Sequence, residues 1–291
     1  MGKKENKKLF VIPHYFKENK NSPYGSGRET AAHRLNVLST TISTLHENFG
    51  ESSKIVVCTD NKNHLIEKLP KKIKKLFTHE IRNPKNPMYL GFECQDILSE
   101  NIKEYDYFCY LEDDLIIRDK LFFNKLKLFN DVFGNSFLLQ PNRFEYSSKY
   151  FEKYYIDKII SNWNEGSITL EYQNKKINFI NSQNPHSGCF FLNKTQMNKI
   201  TVSKTFRKRT SNFVGPLESA ASYSIMKSFI IYKPSLLNRN WLEVQHPGKR
   251  YLNEYVVNPG GSMSSFCNRL KRISILKLFW RLLIKISKFF G

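Results

Sequence analysis

The residues best equipped for chemistry stand side by side. Glu112, Asp113 and Asp114 stand just before the last residue of the stretch YDYFCYLEDDL, in a chain of 291 residues carrying 46 Lys and Arg against 26 Asp and Glu. Three adjacent carboxylates repel one another unless a cation or basic neighbours offset them. One reading is a turn whose acids cap or charge-balance the helix that follows. The other is a socket for a divalent cation. Mg2+ or Mn2+ takes one or two carboxylates from a protein and completes its shell with phosphate oxygens and water. A metal-bridged diphosphate would reconcile the acids with a net charge of +20. The acids would hold the metal, the metal the phosphates, and surrounding Lys and Arg the rest.

Apolar patterning says what must position these groups. KLFVIPHYF (8–16) reads as a buried strand ending at Pro13, and SKIVVCTD (53–60) as a second. Between them Leu35, Leu38, Ile42, Leu45 and Phe49 recur at helical spacing, closed by Gly50. The lysine-rich segment 64–77 predicts a solvated helix, and 89–104 another. After the acidic stretch a helix should start near Asp119, which can cap it. Strand–helix alternation of this kind predicts an α/β fold with a mostly parallel central sheet flanked by helices. Ligands of such sheets bind outside the carboxyl ends of the strands, so His14, Asp60 and Glu112–Asp114 should share one rim. Further on, SFLLQPNRFE (136–145) is a strand broken at Pro141, with Gln140, Arg143 and Glu145 near the break. Short strands and turns fill 163–183. NPHSGCFFLNKTQMNKI (184–200) is a loop, a strand and a helix. A helix starts just after Pro216 with Glu218 in its first turn, and a strand and turn lead to the loop QHPGKR.

The order of these segments resembles the GT-A-fold, nucleotide-sugar-dependent glycosyltransferases. YLEDDLIIRD looks like their DxD-type site, in an EDD form similar to that of N-acetylglucosaminyltransferase-like and family 2-like enzymes. VIPHYF, LEDD, SGCFF, GPLESA and VQHPGKR follow in the family's order. The resemblance, which covers roughly residues 8 to 252, implies a Rossmann-like catalytic domain over 1–257; the composition of the tail adds a flexible linker over 258–268 and a basic amphipathic helix over 269–291. The resemblance also implies Mn2+ or Mg2+ as cofactor, with Asp114 and His246 as metal ligands. Glu112 and Asp113 would contact ribose or metal-bound water, Lys249 and Arg250 the diphosphate, and Pro13, His14 and Asp60 the base and ribose. Gln140 and Arg143 at their strand end, and His186, are expected to face the acceptor, although no motif of the family assigns them. Glu218 would be the general base that takes the acceptor proton in an inverting transfer, although a lone Glu218 before Ser219 departs from the acidic pair common there. The implied partners are a nucleotide sugar, a UDP-sugar first, and a saccharide or lipid-linked acceptor.

Each site residue also has a plain reading. His246 suits a hydrogen-bonded surface position, and Glu218 suits any helix N-terminus. His186 and Cys189 suggest a nucleophile pair only superficially, because nothing activates the thiol. Five cysteines without CxxC spacing indicate neither a disulfide framework nor a zinc knuckle. The N-terminus lacks the apolar stretch of a signal peptide, so a reducing, cytoplasmic setting is expected. Residues 269–288 carry seven basic side chains and no acid around a broad apolar face. That composition predicts an amphipathic helix packed on the domain or lying on an anionic membrane, peripheral on its cytosolic face. Two other classes remain open on sequence grounds. A nucleotidyltransferase would want a Gly-rich phosphate loop, which SPYGSGRET matches only faintly. A nonenzymatic membrane- or nucleic-acid-binding protein would leave the acidic strand end unexplained, and no nucleic-acid-binding signature occurs.

Overall fold

The computed structural model describes residues 6–17, 30–148, 151–157, 166–182 and 184–248. Residues 249–291, which include Lys249, Arg250, the expected linker and the expected terminal helix, lie outside that range. The protein is α/β. Strand β1 (Lys8–Pro13) is followed by helix α1 (Ala31–Phe49), started by the Thr30 hydroxyl, which accepts from His33 N, and closed by Gly50 at φ +53°. Strand β2 (Ser53–Thr59) pairs in parallel with β1.

The lysine-rich stretch departs from the expected solvated helix. Pro70 has no amide proton with which to continue a helix, and only Lys71–Lys74 forms a single turn, α2. Ile66, Leu69 and Ile73 are buried in the main core while the lysines between them face out. The chain then enters β3 (Thr78–Ile81), α3 (Leu90–Glu100), β4 (Tyr107–Leu111) and α4 (Phe122–Phe133). Asp119 does not cap α4. Its Oδ1 accepts from Leu121 N at 2.8 Å and its Oδ2 meets Lys125 Nζ at 2.7 Å, closing the turn ahead of the helix.

Beyond α4 the chain builds two smaller sheets instead of extending the first. Pro141 separates β5 (Phe137–Leu139) from β6 (Asn142–Ser147), and the two join different sheets. Strand β7 (Glu152–Tyr155) pairs with β6. Strands β8 (Ser167–Tyr172) and β9 (Lys175–Asn181) form a hairpin through Gln173 and Asn174, both at positive φ, as a tight two-residue turn requires. Strand β10 (Cys189–Asn193) leads directly into α5 (Lys194–Thr201), whose capping box joins Asn193 and Gln196. Helix α6 (Pro216–Ser228), β11 (Ile230–Pro234) and β12 (Glu243–Gln245) complete the described chain.

The main sheet has the order β10-β4-β1-β2-β3, parallel except for β10. Side chains alternate between its two faces, and each face is covered. Phe10, Ile12, Val57, Cys109 and Phe191 pack with α1 and α4; Leu9, Val11, Cys58, Tyr110 and Phe190 pack with α3, α5 and α6. Coverage on both sides explains why Tyr107–Leu111 is apolar throughout. Among the described residues no helix is long and apolar enough to cross a membrane.

Gly91 sets how closely α3 approaches α6. A Cβ at that position would lie 2.6 Å from Ala220 Cβ and 2.7 Å from Tyr110 Oη. Gly91→Ala should therefore overpack this layer and lower stability by about 1–3 kcal/mol in urea denaturation. A neutral result would mean that α6 slides freely on α3.

Candidate functional site

Neighbouring strands β1 and β4 run parallel, so His14 and Glu112–Asp114 emerge together at their carboxyl ends. This is the point where the strand order reverses, with β4 on one side of β1 and β2 on the other. His14 is fully buried. Its Nδ1 lies 2.5 Å from Asp113 Oδ2, and its Nε2 accepts from Leu65 N at 3.2 Å. An accepting Nε2 leaves Nδ1–H to donate to Asp113. Arg34, in the first turn of α1, donates from Nη2 to both Asp113 oxygens at 2.6 Å. Asp113 is thus held by inward contacts on two sides.

Asp114 faces the other way. Its Oδ2 lies 3.4 Å from His246 Nε2 and 3.7 Å from Arg34 Nη1, while its buried Oδ1 has no hydrogen-bond partner. His246 arrives because β12 pairs in parallel with β6 and bridges to Ile116 through two 2.9 Å hydrogen bonds. Its other nitrogen, Nδ1, meets the fully buried Glu145 at 3.1 Å. Burial opposes a charged imidazole, yet the two carboxylates outweigh it and raise His246 to about 10. Burial likewise opposes the Asp114 carboxylate, but His246 and Arg34 hold it well below the usual range. Burial and the Asp114 charge push Glu112 up to about 8, against the pull of Arg143. Two glycines make room. A Cβ on Gly188, at φ +65°, would lie 2.5 Å from Glu112 Oε2, and one on Gly248 would lie 2.7 Å from His246 Cε1.

Behind this group lies a buried ionic cluster. Arg143 grips Asp157 Oδ1 through Nε and Nη2 at 3.0 and 2.8 Å, and Lys233 Nζ reaches Asp157 Oδ2 at 3.1 Å and His186 O at 2.9 Å. Burial works against Asp157 ionising, but the two cations hold its carboxyl well below the ordinary value. His186 Nδ1 meets Ser222 Oγ at 2.9 Å, one turn along α6 from Glu218. Burial and Arg143 lower that imidazole to about 3, so it is neutral near pH 7. The Glu218 carboxylate folds back over Gly215, where a Cβ would lie 2.8 Å from Oε2; the helix N-terminus favours an anion there.

The other expected positions are occupied internally. Gln140 is fully buried and donates to Cys189 O at 3.0 Å. Asp60 caps the turn after β2, accepting from Lys62 N at 2.9 Å, Asn63 N at 2.5 Å and Asn63 Nδ2 at 2.7 Å. Pro13 ends β1, half-buried beside His14. Arg34, Asp157 and Lys233 were not singled out by the sequence. An arginine early in a helix, or a lysine in a strand, carries no spacing signal that tells it from a surface charge.

Among the described residues no group of three or more His, Cys, Asp or Glu is arranged to hold a metal by itself. Asp114 nevertheless offers an unpartnered carboxylate oxygen, and the neighbouring His246 becomes a second ligand once its Nε2 proton is lost. That set suits an ion that draws its other ligands from phosphate and water.

No family model and no curated protein matches the chain. Among solved structures it is similar to the crystal structure of A197 from STIV, at 12% identity over 78% of this chain and 81% of that one, with a TM-score of 0.36. A likeness this distant says nothing about function.

The ionic cluster behind the site gives a pH signature. Asp157 titrates lower in the folded chain than its unfolded value of about 3.9. Its stabilisation is therefore complete above about pH 5 and is lost as pH falls below that, through its folded value. Asp157→Asn removes the anion that Arg143 and Lys233 share and should cost about 3–5 kcal/mol at neutral pH. Urea titrations at several pH values should show the variant with a flatter acid limb.

Proposed function

We propose that this protein is a metal-dependent glycosyltransferase of the GT-A type, moving a sugar from a nucleotide-sugar donor to a saccharide or lipid-linked acceptor. One observation carries the reading. Asp114 has a buried, unpartnered oxygen beside His246, at the strand-order reversal of a mostly parallel sheet. Phosphate-bearing ligands favour that crevice, and oxygen-rich ion sites of this kind borrow their remaining ligands from such phosphates.

In this reading Asp114 and His246 hold Mn2+ or Mg2+, which when bound offsets charge on the leaving diphosphate. Glu145 orients His246 through Nδ1, as partners of metal-binding imidazoles do. Glu112, packed against Gly188, would contact the ribose or metal-bound water. Asp113 does not reach the donor itself; with His14 and Arg34 it fixes the end of β4. Pro13 and Asp60 border the base and ribose. Lys249 and Arg250, outside the described residues, follow His246 closely enough in sequence to meet the diphosphate. Glu218 takes the acceptor proton and so implies inversion, with His186 and Arg143 on the acceptor side. UDP-sugars are the first donors to test.

Calorimetry with Mn2+ and UDP, paired with donor-turnover assays, tests the roles separately. Asp114→Asn should abolish Mn2+-dependent nucleotide binding and turnover together. Glu218→Gln should keep binding while lowering transfer about 10²–10⁴-fold. Normal Mn2+ and nucleotide binding by Asp114→Asn would sink the metal assignment.

A further inference from the structure

The connection between α5 and α6 has a chemistry that neither the core nor the carboxylate site uses. Phe206 anchors it in the core, and Arg207 N donates to Gln95 Oε1 at 2.7 Å. Phe213 is half-buried against the His186 ring, whereas the remaining apolar side chains face solvent. Val202 is 84% exposed, Val214 65%, and Leu217, in the first turn of α6, 41%.

Between the two valines stand Lys204, Arg207, Lys208 and Arg209, and no acid occurs from Asn193 to Leu217. Arg209 is engaged with Glu93 and Asp96, and Arg207 Nη1 lies 3.8 Å from Asp96. Lys204 and Lys208 are exposed and make no ion pair among the described residues.

Backbone strain adds a separate observation. Val214 sits at φ +61°, a region that β-branched residues avoid. Glycine or asparagine would relieve the strain, and with the side chain mostly in solvent little packing would be lost. A strained, outward valine does little for the fold and points to an external contact. Aliphatic side chains among lysines suit the boundary of an anionic bilayer, where the apolar groups enter and the cations meet lipid phosphates. A nucleic acid would use the cations and leave the valines in water.

We propose that the 202–217 face docks on an anionic membrane, with Val202 and Val214 inserted and Lys204 and Lys208 at the lipid phosphates. Leu217 adjoins Glu218, so docking brings the start of α6 to the bilayer. Resting on the glycosyltransferase reading, this assigns the acceptor to the lipid-linked class.

The test uses the full chain carrying Cys267→Ser, because Cys58, Cys94, Cys109 and Cys189 are buried and should not label. A polarity-sensitive dye is attached through Val202→Cys or Val214→Cys, and through Val132→Cys on α4, 54% exposed, as a control. Phosphatidylglycerol vesicles should blue-shift the dye at 202 and 214, and brominated acyl chains should quench it. The control should not respond, nor should any site with pure phosphatidylcholine. Lys204→Glu with Lys208→Glu should weaken vesicle binding about tenfold or more. Vesicle binding with unshifted dyes at 202 and 214 would overturn the proposal. So would an equal shift at 132, or a response to RNA but not to vesicles. None of these readouts involves sugar transfer, so failed docking and a failed transferase reading are distinguishable.

Discussion

Like charges gathered at the end of one buried strand impose the constraint on which this structure depends. Glu112, Asp113 and Asp114 follow β4 directly, and Glu145 joins them from β6. Their mutual repulsion in a poorly solvated place must be offset by cations or donors of fixed geometry. Four are supplied, each from a different element: His14 after β1, Arg34 from α1, Arg143 from β6 and His246 after β12. The small sheets and long connections of the second half are what bring the last two into place. Arg143 in turn needs Asp157, which also makes a buried Lys233 tolerable.

Strand direction matters to the arrangement as much as charge. Because β10 runs against β4, its entry and not its exit lies beside Leu111. The loop that precedes it therefore reaches the same rim as the ends of the parallel strands. It delivers His186 to α6 and lays Gly188 under Glu112. Lys233 ties that loop down through the His186 carbonyl.

The first half of the fold was legible because β1, β2 and β4 are covered on both faces and read as unbroken apolar runs. Leucine spacing gave α1, and Pro216 gave the start of α6. The lysine-rich segment misled because its apolar residues recur as in a helix, while Pro70 allows only one turn. Asp119 looked like a cap because it precedes an apolar helix, but the helix begins three residues later. Adjacency made the three carboxylates conspicuous. Their counter-charges were less so, because a partner about 100 residues away leaves no local trace. The pairing of His246 with Glu145 exists only through the alignment of β12 with β6. His14 stood out at its strand end, yet its role is internal, since Leu65 and Asp113 occupy both ring nitrogens.

The His246 contacts also fix an order of events during synthesis. The groups that compensate Asp113 precede it in the chain, so the β1–α1–β4 unit can settle its own charges early. Asp114, which Arg34 already reaches at 3.7 Å, and Glu145 gain their shared imidazole only from about 100 residues or more downstream. A nascent chain emerging from the ribosome thus carries a half-neutralised rim until β12 reaches its place beside β6. The second half of the chain therefore completes the electrostatics of the first, and the rim becomes whole only once β12 has been made and has paired with β6.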